Sequence, residues 1–169
     1  MPNNDAFISY SRRDKVFVQR LDAALQQQGR TTWVDWDDIP LSADWWQEIR
    51  EGIESADAFI CVLTPAYLLS RVCHDETAYA MQLKKRIIPI IRAMPDSAAL
   101  VDSWAGQEWE TRAQQNWEYL RKLNWLYLRR KADCDCQYDD KNQVVNPACD
   151  DETCDDDSFQ AAFAALLTT

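Results

Sequence analysis

Glycine is scarce in this 169-residue chain, limited to Gly29, Gly52 and Gly106. Three isolated glycines argue against a Gly-rich loop that closes backbone amides around a phosphate. Histidine is rarer still: His74 stands alone, so a cysteine nucleophile would have almost no imidazole to activate it. No apolar run approaches the roughly 18 residues that a membrane span needs. The start, Met1-Pro2-Asn3-Asn4-Asp5, lacks the character of a signal peptide. Clustered Lys and Arg are missing too, which speaks against a nucleic-acid footprint. The chain is therefore expected to be soluble and cytoplasmic, with neither a membrane nor a nucleic acid as partner.

What is present is apolar and aromatic, with 47% hydrophobic residues and eight tryptophans. That length suits one domain with a single core. The net charge of −10 is concentrated in one segment. Residues 133–157 carry ten acidic side chains against Lys141 alone, so this stretch holds −9 and the rest of the chain about −1. The segment reads as an acidic, solvated insertion in an otherwise nearly neutral body.

Strand and helix patterns alternate along the sequence. Ala6–Tyr10 is a short strand. A helix follows with Phe17, Leu21, Ala24 and Leu25 on one face, and Gly29 suits its stop. Thr31–Val34 is β-branched and aromatic, hence a second strand. Asp35–Leu41 is a loop, and Ser42 is placed to cap a helix whose inward face would be Trp46, Ile49 and Ile53. Ala58–Leu63 is a third strand, ended by Thr64-Pro65. A helix over about 71–85 and a strand over 86–92 come next, the latter weakened by Pro89, which has no N–H for a ladder. Residues 96–121 read as a polar helical connection, Trp125–Leu128 as a fifth strand, and Phe159, Phe163, Leu166 and Leu167 as a last amphipathic helix. Five strands alternating with helices predict an α/β fold, a mostly parallel five-stranded flavodoxin-like sheet of order 2-1-3-4-5.

That order places a crevice beyond the carboxyl ends of strands one and three. The loop Tyr10-Ser11-Arg12-Arg13-Asp14 and the segment leading to Ser70, Cys73 and Glu76 would face it. Arginines, a hydroxyl and a carboxylate on one cleft suit an anionic ligand with a reactive polar centre.

Phe7-Ile8-Ser9-Tyr10-Ser11-Arg12-Arg13-Asp14, the loop from Trp33-Val34-Asp35-Trp36 onward, and Ser70-x-x-Cys73-x-x-Glu76 together resemble a Toll/interleukin receptor (TIR) domain of bacterial type. The resemblance covers nearly the whole chain as a single domain over 1–169, apart from the insertion at 133–157. It implies the same five-stranded sheet, self-association with other TIR domains through the BB loop at about 35–42, and cleavage of NAD+ at the nicotinamide–ribose bond. The products would be nicotinamide and ADP-ribose or a cyclic isomer, in signalling or antiviral defence. NAD+ is then substrate, and no cofactor is implied. Glu76 falls on the catalytic glutamate. Around it the expected binding set is Tyr10, Ser11, Arg12, Asp35, Trp36, Trp46, Ser70 and Cys73. Catalytic relatives often carry Trp four residues before the glutamate, where this chain has Val72. The aromatic wall is either missing or supplied by Trp36, Trp46 or a neighbouring subunit.

The residue types suit that chemistry. Nicotinamide leaves from a positively charged ring nitrogen as a neutral molecule, so its departure needs no general acid. The transition state resembles an oxocarbenium ion, and one carboxylate can serve where glycosidases use two. Arg12 or Arg13 could grip the pyrophosphate with a bidentate fork.

Plainer readings stand beside these. Glu76 is by default a solvated helix residue, Cys73 a packed thiol, Trp45 and Trp46 core and rim, and Asp35 a loop-ordering carboxylate. Cys134-x-Cys136 and Cys149-x₄-Cys154 invite a zinc reading, but the spacing does not fit paired C-x₂-C knuckles, and no metal is expected. A non-catalytic TIR–TIR scaffold is the alternative function. A phospho-accepting receiver would need an aspartate where Thr64-Pro65 ends strand three.

Overall fold

A computed structural model describes residues 3–36, 43–93, 97–128 and 159–168. In chain order these form β1 (Asn4–Ser9), a 3₁₀ turn (Arg12–Asp14), α1 (Lys15–Gln27), β2 (Thr32–Val34), α2 (Ala43–Ser55) and β3 (Ala56–Leu63). Then come α3 (Pro65–Leu68), α4 (Arg71–Gln82), β4 (Arg86–Ile91), α5 (Ser97–Trp104), α6 (Glu110–Leu120), β5 (Leu126–Tyr127) and α7 (Phe159–Thr168). The five strands make one sheet in the order β2-β1-β3-β4-β5, and every pairing is parallel. The expected topology is therefore present, with a wholly parallel sheet rather than a mostly parallel one.

Both faces of the sheet are covered, and the two-residue period of the strands sorts the side chains between them. Phe7, Phe59, Cys61 and Leu63 face one core, which takes Ile49 and Ile53 from α2, Tyr67 from α3, Trp104 from α5 and Trp117 from α6. Ala6, Ile8, Ile60, Val62, Ile88 and Ile90 face the other, against Phe17, Leu21 and Leu25 of α1 and Phe163 and Leu166 of α7. Pro89 is accommodated because β5 pairs with β4 only from Ile90 onward, so no ladder bond to β5 is demanded before that point.

Element limits differ from the sequence reading in places. β1 starts at Asn4 and stops at Ser9, leaving Tyr10 in the following loop. β3 starts two residues earlier than expected, at Ala56. The polar connection over 96–121 resolves into two helices, α5 and α6. The inward face of α2 needs correction: Trp45 is buried with Ile49 and Ile53, whereas Trp46 is only half-buried against Tyr79. Residues 45, 49, 52 and 53 complete the helical stripe, and a glycine at 52 carries no apolar side chain to signal it. The acidic insertion at 133–157 with its four cysteines, and residues 37–42 of the BB loop, lie outside the described residues. Among the described residues no helix is long and apolar enough to cross a membrane, and no group of His, Cys, Asp and Glu could hold a metal ion.

Gly52 is where α2 touches the sheet most closely. A Cβ there would stand 2.7 Å from Trp33 Cδ2 and 3.2 Å from Phe7 Cε2. Neither ring can retreat, because Trp33 stacks on Phe7 at 4.8 Å and Phe7 on Phe59 at 5.5 Å. Alanine would add about 1 kcal/mol of helix propensity, but overpacking costs typically 1–3 kcal/mol or more. Gly52→Ala is therefore expected to destabilise the domain on balance. A lower urea midpoint at unchanged slope would show it, and a raised midpoint would refute the close-approach account.

Candidate active site

The site is built at the carboxyl ends of β1 and β3, where the chain departs to opposite sides of the sheet. β1 presents Phe7 and Ser9 to the same face, and Ser9 pairs in register with Cys61 of β3. After β3 the Thr64 side chain accepts a hydrogen bond from Tyr67 N at 3.1 Å, with Pro65 at the first helical position. The Thr-Pro that ends the strand thus also caps α3 and sets Tyr67 on its first turn. The next cap is Ser70, whose hydroxyl accepts from Cys73 N at 3.3 Å. Ser-x-x-Cys is in physical terms an N-cap and its third helical residue, and Glu76 follows on the same side of α4.

Glu76 is 6% exposed. Its Oε2 is hydrogen-bonded to the Ser9 hydroxyl. The chain of contacts continues from Ser9 Oγ to Tyr67 Oη at 3.0 Å, from Tyr67 Oη to Thr77 Oγ1 at 2.8 Å, and from Thr77 Oγ1 to the Cys73 carbonyl at 2.7 Å. Burial raises the Glu76 carboxyl to about 8. The Ser9 hydrogen bond and the Arg12 charge oppose that rise, and the Asp35 carboxylate adds to it.

A second cluster closes over the first. Arg12 Nη2 pairs with Asp35 Oδ2 at 2.7 Å, and its Nη1 donates to the Asp35 carbonyl. Tyr10 Oη donates to the same carbonyl at 2.9 Å, and Trp45 Nε1 donates to Asp35 Oδ2 at 3.3 Å. Asp35 thus ties the root of the BB loop to the loop after β1. Trp36 leans on the Tyr10 ring at 6.0 Å. Beside this knot a cavity of about 180 Å³ opens between Trp33, Trp36 and Trp45, with Asp35 and Glu48 on its wall.

The structure brings Glu76, Tyr10, Arg12 and Asp35 into one electrostatic unit, with Trp36 against it. Ser11 caps the 3₁₀ turn by accepting from Arg13 N. Ser70 serves as the cap of α4. Cys73 is buried, donates its thiol to the Tyr10 carbonyl at 3.5 Å, and is held well above the ordinary thiol range by burial. Trp46 turns instead to Trp45 and Tyr79. Val72 packs into the core against which α2 and α4 sit. His74 does not approach Cys73: its Nδ1 accepts from Asn116 Nδ2 at 3.2 Å, so its Nε2 donates to the Leu68 carbonyl at 2.7 Å. Ser9, Tyr67, Thr77 and Trp45 are the participants that the sequence reading missed. Ser9 carried a signal, as a lone polar residue facing inward from an apolar strand.

A family profile described as TIR domain matches residues 6–146. The chain belongs to the TIR domain family. Among solved structures, this TIR domain is similar to the TIR domains in the activated Roq1 resistosome that directly recognises the pathogen effector XopQ. That match has 14% identity, a TM-score of 0.67, and covers 98% of each chain. It is also similar to the TIR domain of the Toll-related receptor TRR-2 from Hydra magnipapillata, at 21% identity and a TM-score of 0.49, covering 72% of this chain and all of that one. No curated protein matches it.

Proposed function

We propose that this TIR domain cleaves NAD+ at the nicotinamide–ribose bond, with Glu76 as the catalytic carboxylate. The observation that carries the reading is a buried carboxyl at the sheet's switch point. Open α/β sheets bind their ligands there, and a dry site multiplies the effect of one charge. In the reaction the C1′–N bond breaks and its electron pair returns to the pyridinium nitrogen, releasing neutral nicotinamide. Ionised Glu76 offsets the positive charge that develops on the ribose. Water then adds at C1′ and loses a proton to give ADP-ribose, or a nucleophile within the substrate closes a cyclic isomer. Tyr10, Ser11, Arg12, Asp35 and Trp36 would contact the substrate, with Trp46, Ser70 and Cys73 at greater remove.

Glu76 must shed its proton before it can act, and the substrate's own pyridinium cation favours that. Arg12 must also turn from Asp35 before its fork can meet a pyrophosphate. Both changes follow if the BB loop lifts, and self-association with a second TIR domain through residues 35–42 is the proposed trigger. The likeness to TIR domains within an activated resistosome supports assembly as the context. The closed state of Glu76 also favours a second reading, a TIR domain that acts only by recruiting others. Nicotinamide release from NAD+ separates the two, measured up to concentrations that force self-association. Because the ionised form is the active one, release is expected to rise with pH, pass its half-maximum near 8 and level off about one unit higher. A flat profile from pH 6 to 9 would contradict the assigned role.

A further inference from the structure

Four hydrogen-bond contacts in the buried chain must share a limited number of hydrogens. The contacts run from Glu76 to Ser9, Ser9 to Tyr67, Tyr67 to Thr77, and Thr77 to the Cys73 carbonyl. The carbonyl can only accept, so Thr77 must donate to it. Thr77 then accepts from Tyr67, Tyr67 from Ser9, and Ser9 has nothing left to offer Glu76. With Glu76 ionised, three hydroxyl hydrogens must serve four contacts, and one pair of oxygens faces each other bare. With a proton on Glu76 Oε2, four hydrogens serve four contacts, all running in one direction. Ser9 is 1% exposed, and Tyr67 and Thr77 are fully buried, so no solvent is at hand to supply the missing hydrogen. A bare oxygen pair in such a place is disfavoured.

We infer that Tyr67 is a positioning residue that, through Ser9 and anchored by Thr77, holds the Glu76 carboxyl in its protonated form while the site is closed. The charged and titratable groups around this carboxyl do not override the chain. Arg12 and Tyr10 face it from the loop after β1, Asp35 from the loop after β2, Tyr67 from α3 and Cys73 from α4. Cys61 on β3 faces Tyr67. Arg12 is paired with Asp35, so their charges largely cancel at Glu76. Tyr67 and both thiols are neutral, each held above its ordinary range by burial. The direction of the hydroxyl chain adds to the desolvation that already opposes ionisation of Glu76.

The consequence for catalysis rests on the proposed NAD+ cleavage, but the proton count does not. Each hydroxyl can be removed in turn. Tyr67→Phe leaves Ser9 free to donate to an ionised Glu76 and strips the protonated arrangement of its acceptor. Thr77→Val does the same one step further along, since Tyr67 can then donate to Ser9 and Ser9 to Glu76. Ser9→Ala cuts the chain next to the carboxyl, so with Ser9 gone neither Tyr67 nor Thr77 is linked to Glu76 and their removal has no lever on it.

The test is an NMR pH titration of the Glu76 carboxyl carbon in the full chain labelled at glutamate, assigned by its disappearance in Glu76→Gln. Tyr67→Phe and Thr77→Val are each expected to lower the midpoint by about one unit, and the same substitutions in a Ser9→Ala background to leave it within roughly 0.3 unit of Ser9→Ala alone. Either lowering variant suffices if the other fails to fold. Shifts below roughly 0.3 unit with Ser9 present, or equal shifts with and without Ser9, would overturn the inference; a general loosening of the fold would act in both backgrounds. The pH profile of nicotinamide release is expected to move with the same midpoints. Midpoints that move as stated while wild type releases no nicotinamide would uphold the hydroxyl chain and reject the enzymatic reading.

Discussion

Glu76→Gln is expected to reduce nicotinamide release to background, a loss of roughly 10²–10³-fold or more at pH 8. Glutamine is nearly isosteric and its amide can donate to Ser9 as the protonated carboxyl does, so the variant removes the charge and keeps the shape. The neighbouring carboxylates are engaged elsewhere: Asp14 accepts a hydrogen bond from Thr64 at 2.9 Å. Asp35 is committed to Arg12 and Trp45, and Asp75 to Arg112 and Arg71. The size of the loss should itself depend on pH. With a midpoint near 8, about one wild-type molecule in ten carries an ionised Glu76 at pH 7 in the closed state, so the gap between wild type and variant widens as pH rises. Conditions that lift the BB loop admit water to the carboxyl, ease its ionisation and raise the neutral-pH rate. Release at the wild-type level by Glu76→Gln would end the assignment. No release by wild type at any concentration would leave the recruiting role instead.

The same substitution is expected to stabilise the protein, by about 2–3 kcal/mol above pH 8. The folded-state carboxyl titrates near 8, whereas an unfolded glutamate titrates near 4.5. Below about 4.5 both states are protonated and Glu76 contributes no pH-dependent term. Between 4.5 and 8 the unfolded chain has released its proton and the folded chain has not, so wild-type stability falls as pH rises. Above 8 both are ionised and the full burden of a buried charge remains. Its gross size is on the order of 3–5 kcal/mol, reduced in the variant by the partly unsatisfied amide that replaces the carboxyl. Thermal unfolding should therefore place Glu76→Gln roughly 5–10 °C above wild type at pH 8–9. Near pH 4.5 only the amide penalty remains, and the variant should be about 1–2 kcal/mol less stable than wild type. A variant no more stable than wild type at pH 9 would show that Glu76 is not held in a dry site. Activity lost and stability gained in one variant is the signature of a strained catalytic group rather than of a packing residue.

The strands were legible because parallel strands covered on both faces are nearly continuous apolar runs, and Ala58–Leu63 and Arg86–Ile91 are of that kind. The start of α4 was legible to the residue, although its cap Ser70 had been read as a binding residue. The face of α2 was misread because Trp45 and Trp46 are equally apolar, and the glycine that decides the rotation contributes no hydrophobic signal. Glu76, Tyr10, Arg12 and Asp35 were picked out by sheet topology and by resemblance, and the structure brings these four together. Ser9, Tyr67 and Thr77 were missed because a hydroxyl has no periodicity or charge to mark it, and only the pairing of β1, α3 and α4 brings the three together.

By itself, then, the chain's pattern of apolar runs, caps and breaks determined five strands alternating with helices, because these follow from local periodicity and short-range hydrogen bonding; the order 2-1-3-4-5, with a carboxylate at its switch point, came from the topology such units usually adopt. Only the tertiary structure decided the state of that carboxylate. Burial between α4, which carries it, and β1, the Arg12–Asp35 pair and a hydroxyl chain drawn from three separate elements set its proton affinity, and the interaction of buried charges and dipoles depends on distances through space that no sequence separation encodes.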